Sequence, residues 1–246
     1  MQREAGGFPA TSVVRSNAAA EPLARLAQPV KAPPPELIQL ATRHHPGPYE
    51  RWVKPAIDLV GGLVLTVLSA PLLLFGIFSV WVRLGRPVIY RQERVGRGGQ
   101  PFFVYKLRTM LPDRRTGIIT YVGPERRVAH KRDDDPRHTG LGRFLRRFKI
   151  DELPQCWNVL RAEMSMVGPR PELKSVVQER YEVWQHLRHR VKPGLTGPWQ
   201  ISPHEDGLMY LDTTVDLEYI ARLSAREDLR IMLATPATVL GLRRQD

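Results

Sequence analysis

"LVGGLVLTVLSAPLLLFGIFSVWV", residues 59–82, contains no charged side chain. As a helix rising about 1.5 Å per residue it would reach roughly 36 Å, longer than the roughly 30 Å hydrocarbon core of a bilayer. A core helix of that length is unusual in a small domain. Arg51 and Lys54 precede the stretch, while Arg83, Arg86 and Arg91 follow it. Positive charge stays on the cytoplasmic side, so both ends ask for the same face. Pro71 falls near the middle, where it removes a backbone donor and bends a helix, and Ser69 can help satisfy the carbonyls this frees. The pattern predicts a re-entrant membrane helix over residues 51–83 that enters, turns near Ser69 and Pro71, and leaves by the same leaflet. A kinked full span is the alternative. Asp58 lies at the membrane entrance, where a carboxylate is costly unless paired, and Lys54 one helical turn away is its expected partner. Trp52 and Trp81 flank the stretch as interfacial aromatics do.

Outside this segment, a length of 246 residues with 42% hydrophobic residues fits one domain of about 150 to 200 residues plus tails. The single cysteine, Cys156, excludes an internal disulfide and multi-cysteine zinc motifs and suits a reducing compartment. It reads as a small buried residue on a helix. Residues 1–50 lack the short apolar run of a signal peptide and hold eight of the 22 prolines, including "KAPPPE". A mostly disordered tail is expected there. Charge is concentrated in residues 83–149, where 18 Lys and Arg against 6 Asp and Glu leave +12, the formal charge of the whole chain. Such a cluster faces nucleic acid, a phosphorylated small molecule or lipid headgroups, unless it is simply a solvated surface.

"RPVIYRQERVGRGGQPFFVYKLRTM" reads as a β-hairpin turning at Gly96, Gly98 and Gly99. Alternation puts Phe103, Tyr105 and Leu107 on one face, and Val104, Lys106 and Arg108 on the other. Lys106 and Arg108 then make a cationic pair or an ordinary exposed strand face. Residues 111–137 read as a polar loop closed by Asp133, Asp134 and Asp135, a solvated charge run rather than a cation site. Leu141, Phe144, Leu145 and Phe148 have helical spacing, with Arg143, Arg146 and Arg147 on the other faces: a basic amphipathic helix suited to a membrane surface.

The next helix is expected to open at Asp151, a good N-cap, with Pro154 in its first turn. On that reading Asp151 is only a cap and Glu152 only favourable charge. The same geometry also suits chemistry, because an ionised aspartate can attack phosphorus and split one transfer into two steps. Glu152 would stand beside it as base or ligand, and a divalent cation, most readily Mg²⁺, would be held by Asp151, Glu152 and substrate phosphates. Pro169 and Pro171 hold Arg170 extended, ready to grip a phosphate or merely to form a loop. His186 and His189 have a spacing that metals can use, but no third ligand is evident, so they read as surface helix residues.

Taken in order, "FFVYKLRTM", "DPRHTGLGRFLRR", "DELPQCWNVLRAEMSMVGPRPE" and "VKPGLTGPWQ", behind an apolar helix broken at a proline, resemble the bacterial sugar transferases, the monotopic phosphoglycosyl transferases. The resemblance implies an α/β fold in the α+β sense, mostly helical: a re-entrant membrane helix plus a small cytosolic domain with a β-hairpin and amphipathic interfacial helices. It divides residues 51–246 into the membrane helix (51–83), a catalytic core (84–190) and a C-terminal extension (191–246). The implied reaction moves a sugar 1-phosphate from a nucleotide sugar, usually a UDP-hexose, to polyprenyl (undecaprenyl) phosphate with release of UMP. That is the first membrane step of exopolysaccharide, O-antigen or other surface glycan assembly, on the cytosolic face of the bacterial inner membrane. By position Asp151 is the nucleophile and Glu152 its partner, associated with Mg²⁺. Lys106, Arg146 and Arg170 handle phosphates, with Arg108, Asn158 and Glu172 as further candidates. Ser69 and Pro71 form the break, and Lys54 and Asp58 the membrane entrance. Lys149 departs from the family pattern, standing where a small hydroxyl residue is usual. Membrane lipids are expected partners and nucleic acid is not, while a homo-oligomer stays open. The rivals are a catalytically inactive paralogue and a basic membrane-tethered binder.

Overall fold

A computed structural model describes residues 30–111, 137–202 and 209–239 of the chain. The expectations for residues 1–29 and for Asp133, Asp134 and Asp135 lie outside the described residues. Residues 30–50 do not follow the expected tail. Pro35 and Glu36 open helix α1 (Pro35–Thr42), proline being harmless in a first turn. Ala41 is fully buried against Leu217 and Ile220, with Leu37 packed beside them. Three prolines in a row signalled disorder, but enough apolar surface follows them to bury.

After one π-helical turn (Tyr49–Val53), helix α2 (Lys54–Leu84) carries the apolar stretch. Its buried positions, Lys54, Asp58, Gly62, Ser69, Gly76 and Val80, are spaced by four or seven residues, so they form one stripe along the helix. The opposite face, including Leu63, Val67, Leu72, Phe75 and Phe78, is more than half exposed, and only 17% of the most apolar window is buried. A core helix would bury most of its surface. An exposed apolar surface of this size marks association with a membrane, and the helix is long and apolar enough to cross one.

The expected turn at Ser69 and Pro71 does not interrupt the helix. Pro71 is exposed on the outer face, while Ser69 is buried in the stripe and donates to the carbonyl of Thr66 at 3.5 Å. A proline removes one helical hydrogen bond, and packing on both sides of it holds the helix together. At Gly76 an added Cβ would meet the Leu107 side chain at 2.6 Å, so glycine permits the close approach of α2 to the sheet.

Strands β1 (Ile89–Val95) and β2 (Pro101–Leu107) form the predicted hairpin, with Gly98 and Gly99 at positive φ in the turn. Helix α3 (Gly140–Arg147) is capped by the Thr139 hydroxyl, which accepts from the Gly142 amide at 2.9 Å. A 3₁₀-helix (Ile150–Gln155) runs into the short helix α4 (Cys156–Leu160). Strand β3 (Ser165–Val167) and β4 (Glu172–Leu173) follow, then α5 (Lys174–Arg180), a 3₁₀-helix (Val183–Arg190), β5 (Gly194–Thr196), α6 (Thr214–Ala221) and α7 (Ala225–Val239). The strands make an antiparallel sheet in the order β2-β1-β4 and a parallel pair, β3 with β5. The domain is mostly helical with little sheet. One core joins α1, α6 and α7 around Leu217, Ile220 and Ile231, and a second joins α2, β2 and α3 around Val80, Leu107 and Leu145.

His189 is buried and stacks on Tyr181 with centroids 5.9 Å apart, whereas His186 is exposed. The surface reading of His189 is therefore corrected: helical spacing alone does not report depth. Cys156 is buried at the start of α4, as its sequence context suggested.

Candidate active site

Asp151 does not cap a helix. The 3₁₀-helix starts from Lys149, held in the left-handed region at φ 55°, and Asp151 is its second residue. The turn buries Asp151 and leaves its Oδ1 without a hydrogen-bond partner. Glu152, next in the chain, reaches the Lys106 side chain of β2. It accepts a 2.6 Å hydrogen bond from Lys106 Nζ, and Arg170 Nη2 stands 3.7 Å from the same oxygen.

The two carboxyls therefore feel opposite fields. Burial, then the neighbouring Glu152 charge, pushes Asp151 up to about 6, against the pull of Lys106, Lys149 and Arg146. Burial would also raise Glu152, but Lys106, Arg170 and Lys149 outweigh it and hold the carboxyl well below the usual range. Burial lowers Lys106, with Glu152 opposing it. The pair can thus hold an ionised Glu152 tied to its cations beside an Asp151 that titrates close to neutrality.

Arg146, on α3, lies close enough to pull on Asp151 and donates to Thr109 Oγ1 at 3.0 Å. The other expected site residues are placed elsewhere. Arg108 leaves the strand end to donate to the carbonyls of Leu84 and Gly85, satisfying the C-terminus of α2, and so does not join Lys106 in a cationic pair. Asn158 is fully buried. Its amide donates to the Phe103 carbonyl and Glu163 and accepts from the Tyr105 amide, which ties α4 to β2. Glu172 is also fully buried, accepting from the Leu173 amide beside Arg94 at 3.6 Å. Lys54 and Asp58 do not pair with each other. Lys54 Nζ donates to Asp228 at 2.5 Å and to the Val167 carbonyl at 2.8 Å, while Asp58 accepts from Ser165 Oγ and the Met166 amide. Each finds its partner in the folded domain, which an i, i+4 argument cannot see.

Other residues join the site without having been anticipated. A narrow cleft in front of Glu152 is lined by Arg94, Lys106, Gln155, Arg170 and Gln200. Gln155 Nε2 and Gln200 Oε1 are buried there without hydrogen-bond partners among the described residues. Arg94 had a legible signal: the hairpin register sets Arg94 opposite Phe102 and Tyr90 opposite Lys106, so Arg94 and Lys106 share a face. Gln155 closes "DELPQ" and Gln200 closes "VKPGLTGPWQ", but nothing local shows that they meet. Among the described residues no three His, Cys, Asp or Glu side chains gather as a metal site. Asp151 Oδ1 and the Glu152 carboxylate are the donors a cation could use, a set that suits Mg²⁺ completed by substrate phosphates and water.

The site is thus a buried Asp151 beside a half-buried, ion-paired Glu152, with Lys106 and Arg170 close by, in a mostly helical domain that carries one long, exposed apolar helix. The chain belongs to the bacterial sugar transferase family, whose model matches residues 49–242. It is 38% identical over 196 residues to a UDP-galactose-lipid carrier transferase of Erwinia amylovora, covering 77% of this chain and 41% of that one. It is 37% identical over 215 residues to a UDP-glucose:undecaprenyl-phosphate glucose-1-phosphate transferase of Caulobacter vibrioides, covering 82% and 76%. It is also 36% identical over 195 residues to the exopolysaccharide production protein ExoY of Sinorhizobium fredii, covering 76% and 86%. The chain spans about two fifths of the length of the Erwinia relative.

Proposed function

We propose that this protein is a phosphoglycosyl transferase that moves a sugar 1-phosphate from a UDP-sugar to undecaprenyl phosphate with release of UMP. The observation that carries the reading is the buried, unbonded Oδ1 of Asp151 beside a Glu152 held by Lys106 and Arg170. In the first half-reaction an Asp151 oxygen bonds to the sugar-proximal phosphorus as the bond to the bridging oxygen breaks, and UMP leaves with that oxygen. In the second, an oxygen of the lipid phosphate bonds to the same phosphorus and the aspartate is released. Lys106 and Arg170 are placed to bind diphosphate oxygens, and Gln155 and Gln200 offer an unused donor and acceptor in the same cleft. When bound, Mg²⁺ would neutralise charge on the diphosphate, with Asp151 and Glu152 as its protein ligands. The names of the Erwinia and Caulobacter relatives, a UDP-galactose-lipid carrier transferase and a UDP-glucose:undecaprenyl-phosphate glucose-1-phosphate transferase, support the donor and acceptor classes.

The membrane helix enters from one side in this reading. Lys54 near its start and the carbonyls of Leu84 and Gly85 at its end are all bonded to the same domain, and the stripe between them stays packed on that domain. A crossing helix would carry one end about 30 Å away. We place the domain on the cytosolic face of the inner membrane, where UDP-sugars and the lipid phosphate meet.

The test uses full-length protein in nanodiscs with Mg²⁺ and UDP-sugars labelled on the sugar-proximal phosphate, without lipid acceptor. Covalent label on wild type but not on Asp151→Asn, chased onto undecaprenyl phosphate, is the expected result. Absence of label and of UMP release across a broad donor panel would instead favour an inactive paralogue or a charge-driven membrane binder.

A further inference from the structure

Beside the polar cleft lies a second, partly open chamber of about 340 Å³, lined by α2, the 3₁₀-helix and α4, β3, β5 and α7. The two spaces share Glu152, Arg170, Leu195 and Gln200, so both open onto the ion pair beside Asp151. Away from that junction the chamber is walled by Leu65, Leu153, Cys156, Met166, Met232 and Val239. Its hydroxyl hydrogens are spent within the walls: Thr235 donates to the Ile231 carbonyl and pairs with Thr196 at 2.7 Å, and Thr238 donates to Ala234. A uracil or sugar ring placed there would find only a few hydroxyl oxygens to accept from it and no hydroxyl donors, so most of its hydrogen bonds to water would be lost. A hydrocarbon would lose nothing. One wall, Leu65, belongs to the helix whose outer face is apolar and exposed, so the chamber sits at the edge of the surface that meets lipid.

The opposite wall is fixed. Asp228 near the start of α7 accepts from Lys54 Nζ, from Tyr49 Oη at 2.6 Å and from Tyr219 Oη at 2.7 Å, which binds α7 to the first turns of α2 and to α6. This buried cluster sets the width between α7 and α2.

We propose that this chamber holds the first isoprene units of the polyprenyl phosphate acceptor, with the acceptor phosphate at the junction beside Arg170 and Lys149. The assignment rests on the transferase reading above and adds to it a separate place for the lipid. Donor diphosphate then reaches in from the polar cleft and acceptor hydrocarbon lies in the apolar chamber, and their phosphates meet beside Glu152 and Arg170, next to Asp151. Charge complementarity sets the orientation, because the two cations of the lining, Arg170 and Lys149, both act on Glu152 at the junction.

The experiment fills the chamber from opposite walls with Leu65→Trp and Val239→Trp in the full-length protein in nanodiscs. The acceptor KM is measured with undecaprenyl phosphate and with farnesyl phosphate, and the donor KM from acceptor-free labelling. Both variants are expected to raise the acceptor KM about tenfold or more, the scale on which a hydrophobic pocket senses a few carbons, and to leave the donor KM in place. A rise in the donor KM with the acceptor KM unchanged would assign the chamber to the nucleotide sugar and overturn the proposal, as would no change in either. Photo-crosslinking of a diazirine-bearing farnesyl phosphate to the same proteins reads the site without requiring turnover. Adducts on peptides containing Leu65 or Met232, lost in the Trp variants, support the chamber, and adducts confined to the outer face of α2 refute it. Wild type that crosslinks there but neither takes label nor releases UMP would sink the transferase reading while leaving the lipid site standing.

Discussion

Asp151 and Glu152 are adjacent in the chain, yet burial dominates one carboxyl and cations dominate the other. The rate of covalent labelling should therefore fall about tenfold per pH unit on the acid side of a limb at about 6, a macroscopic value that belongs to the pair. Stability should follow the same titration. A carboxyl raised in the folded state contributes stability below its unfolded value, and that contribution is lost as pH rises through about 6. Near pH 8 the buried charge is a net cost, so Asp151→Asn should melt higher than wild type by a few degrees, with the gap closing toward about pH 4. A variant that melts lower at both pH values would show that Asp151 is held by bonds the structure does not contain. Lys106→Met tests the neighbouring carboxyl. Losing the 2.6 Å partner should raise the Glu152 pKa and cut transfer on the order of a hundredfold, while the melting temperature changes far less than activity.

Arg170 owes its position to an element on the far side of the domain. Arg188, buried in the 3₁₀-helix (Val183–Arg190), donates to the Arg170 carbonyl at 2.7 Å and pairs with Asp216 of α6 at 2.6 Å. Removing one member of a buried ion pair costs on the order of 3 to 5 kcal/mol, whereas replacing both by apolar residues can be nearly neutral. Arg188→Met should therefore be strongly destabilised, and Arg188→Met combined with Asp216→Leu should recover much of the melting temperature. The double variant should still bind donor several-fold more weakly, because nothing would then hold the Arg170 carbonyl. A donor KM restored along with stability would make the pair purely structural. At this scale the limits of the sequence are physical. Alternation revealed the hairpin, and helical spacing revealed α3, since period and composition are local properties. Motif spelling located the acid pair and Arg170. The left-handed Lys149 that displaced Asp151 from its expected cap carries no local signal, and neither does the burial of His189. Arg108, Asn158 and Glu172 were named by position along a motif, but their partners are carbonyls, amides and ions contributed by other elements.

For the whole molecule the central question is how one domain grips a membrane helix that carries cations at both ends. The sequence reconciled these facts with a turn at Ser69 and Pro71, and the structure reconciles them with a helix bound along its length. Lys54, Asp58, Gly62, Ser69, Gly76 and Val80 face protein from end to end, leaving only the opposite face for lipid. Such a helix can sink into one leaflet but cannot cross without stripping its buried Lys54 and Asp58 from their partners in β3 and α7, or its last turn from β2 and α3. Exposing either polar group to hydrocarbon would cost several kcal/mol. Both flanks should therefore face the same compartment. With Cys156 replaced by serine, single cysteines introduced as Arg51→Cys and Arg86→Cys can be labelled with a membrane-impermeant maleimide. Right-side-out and inside-out vesicles expose opposite faces of the membrane. Equal labelling of both cysteines in inside-out vesicles alone is expected. One cysteine reacting in each orientation would establish a full span, and the packing stripe would then have to come apart in the membrane.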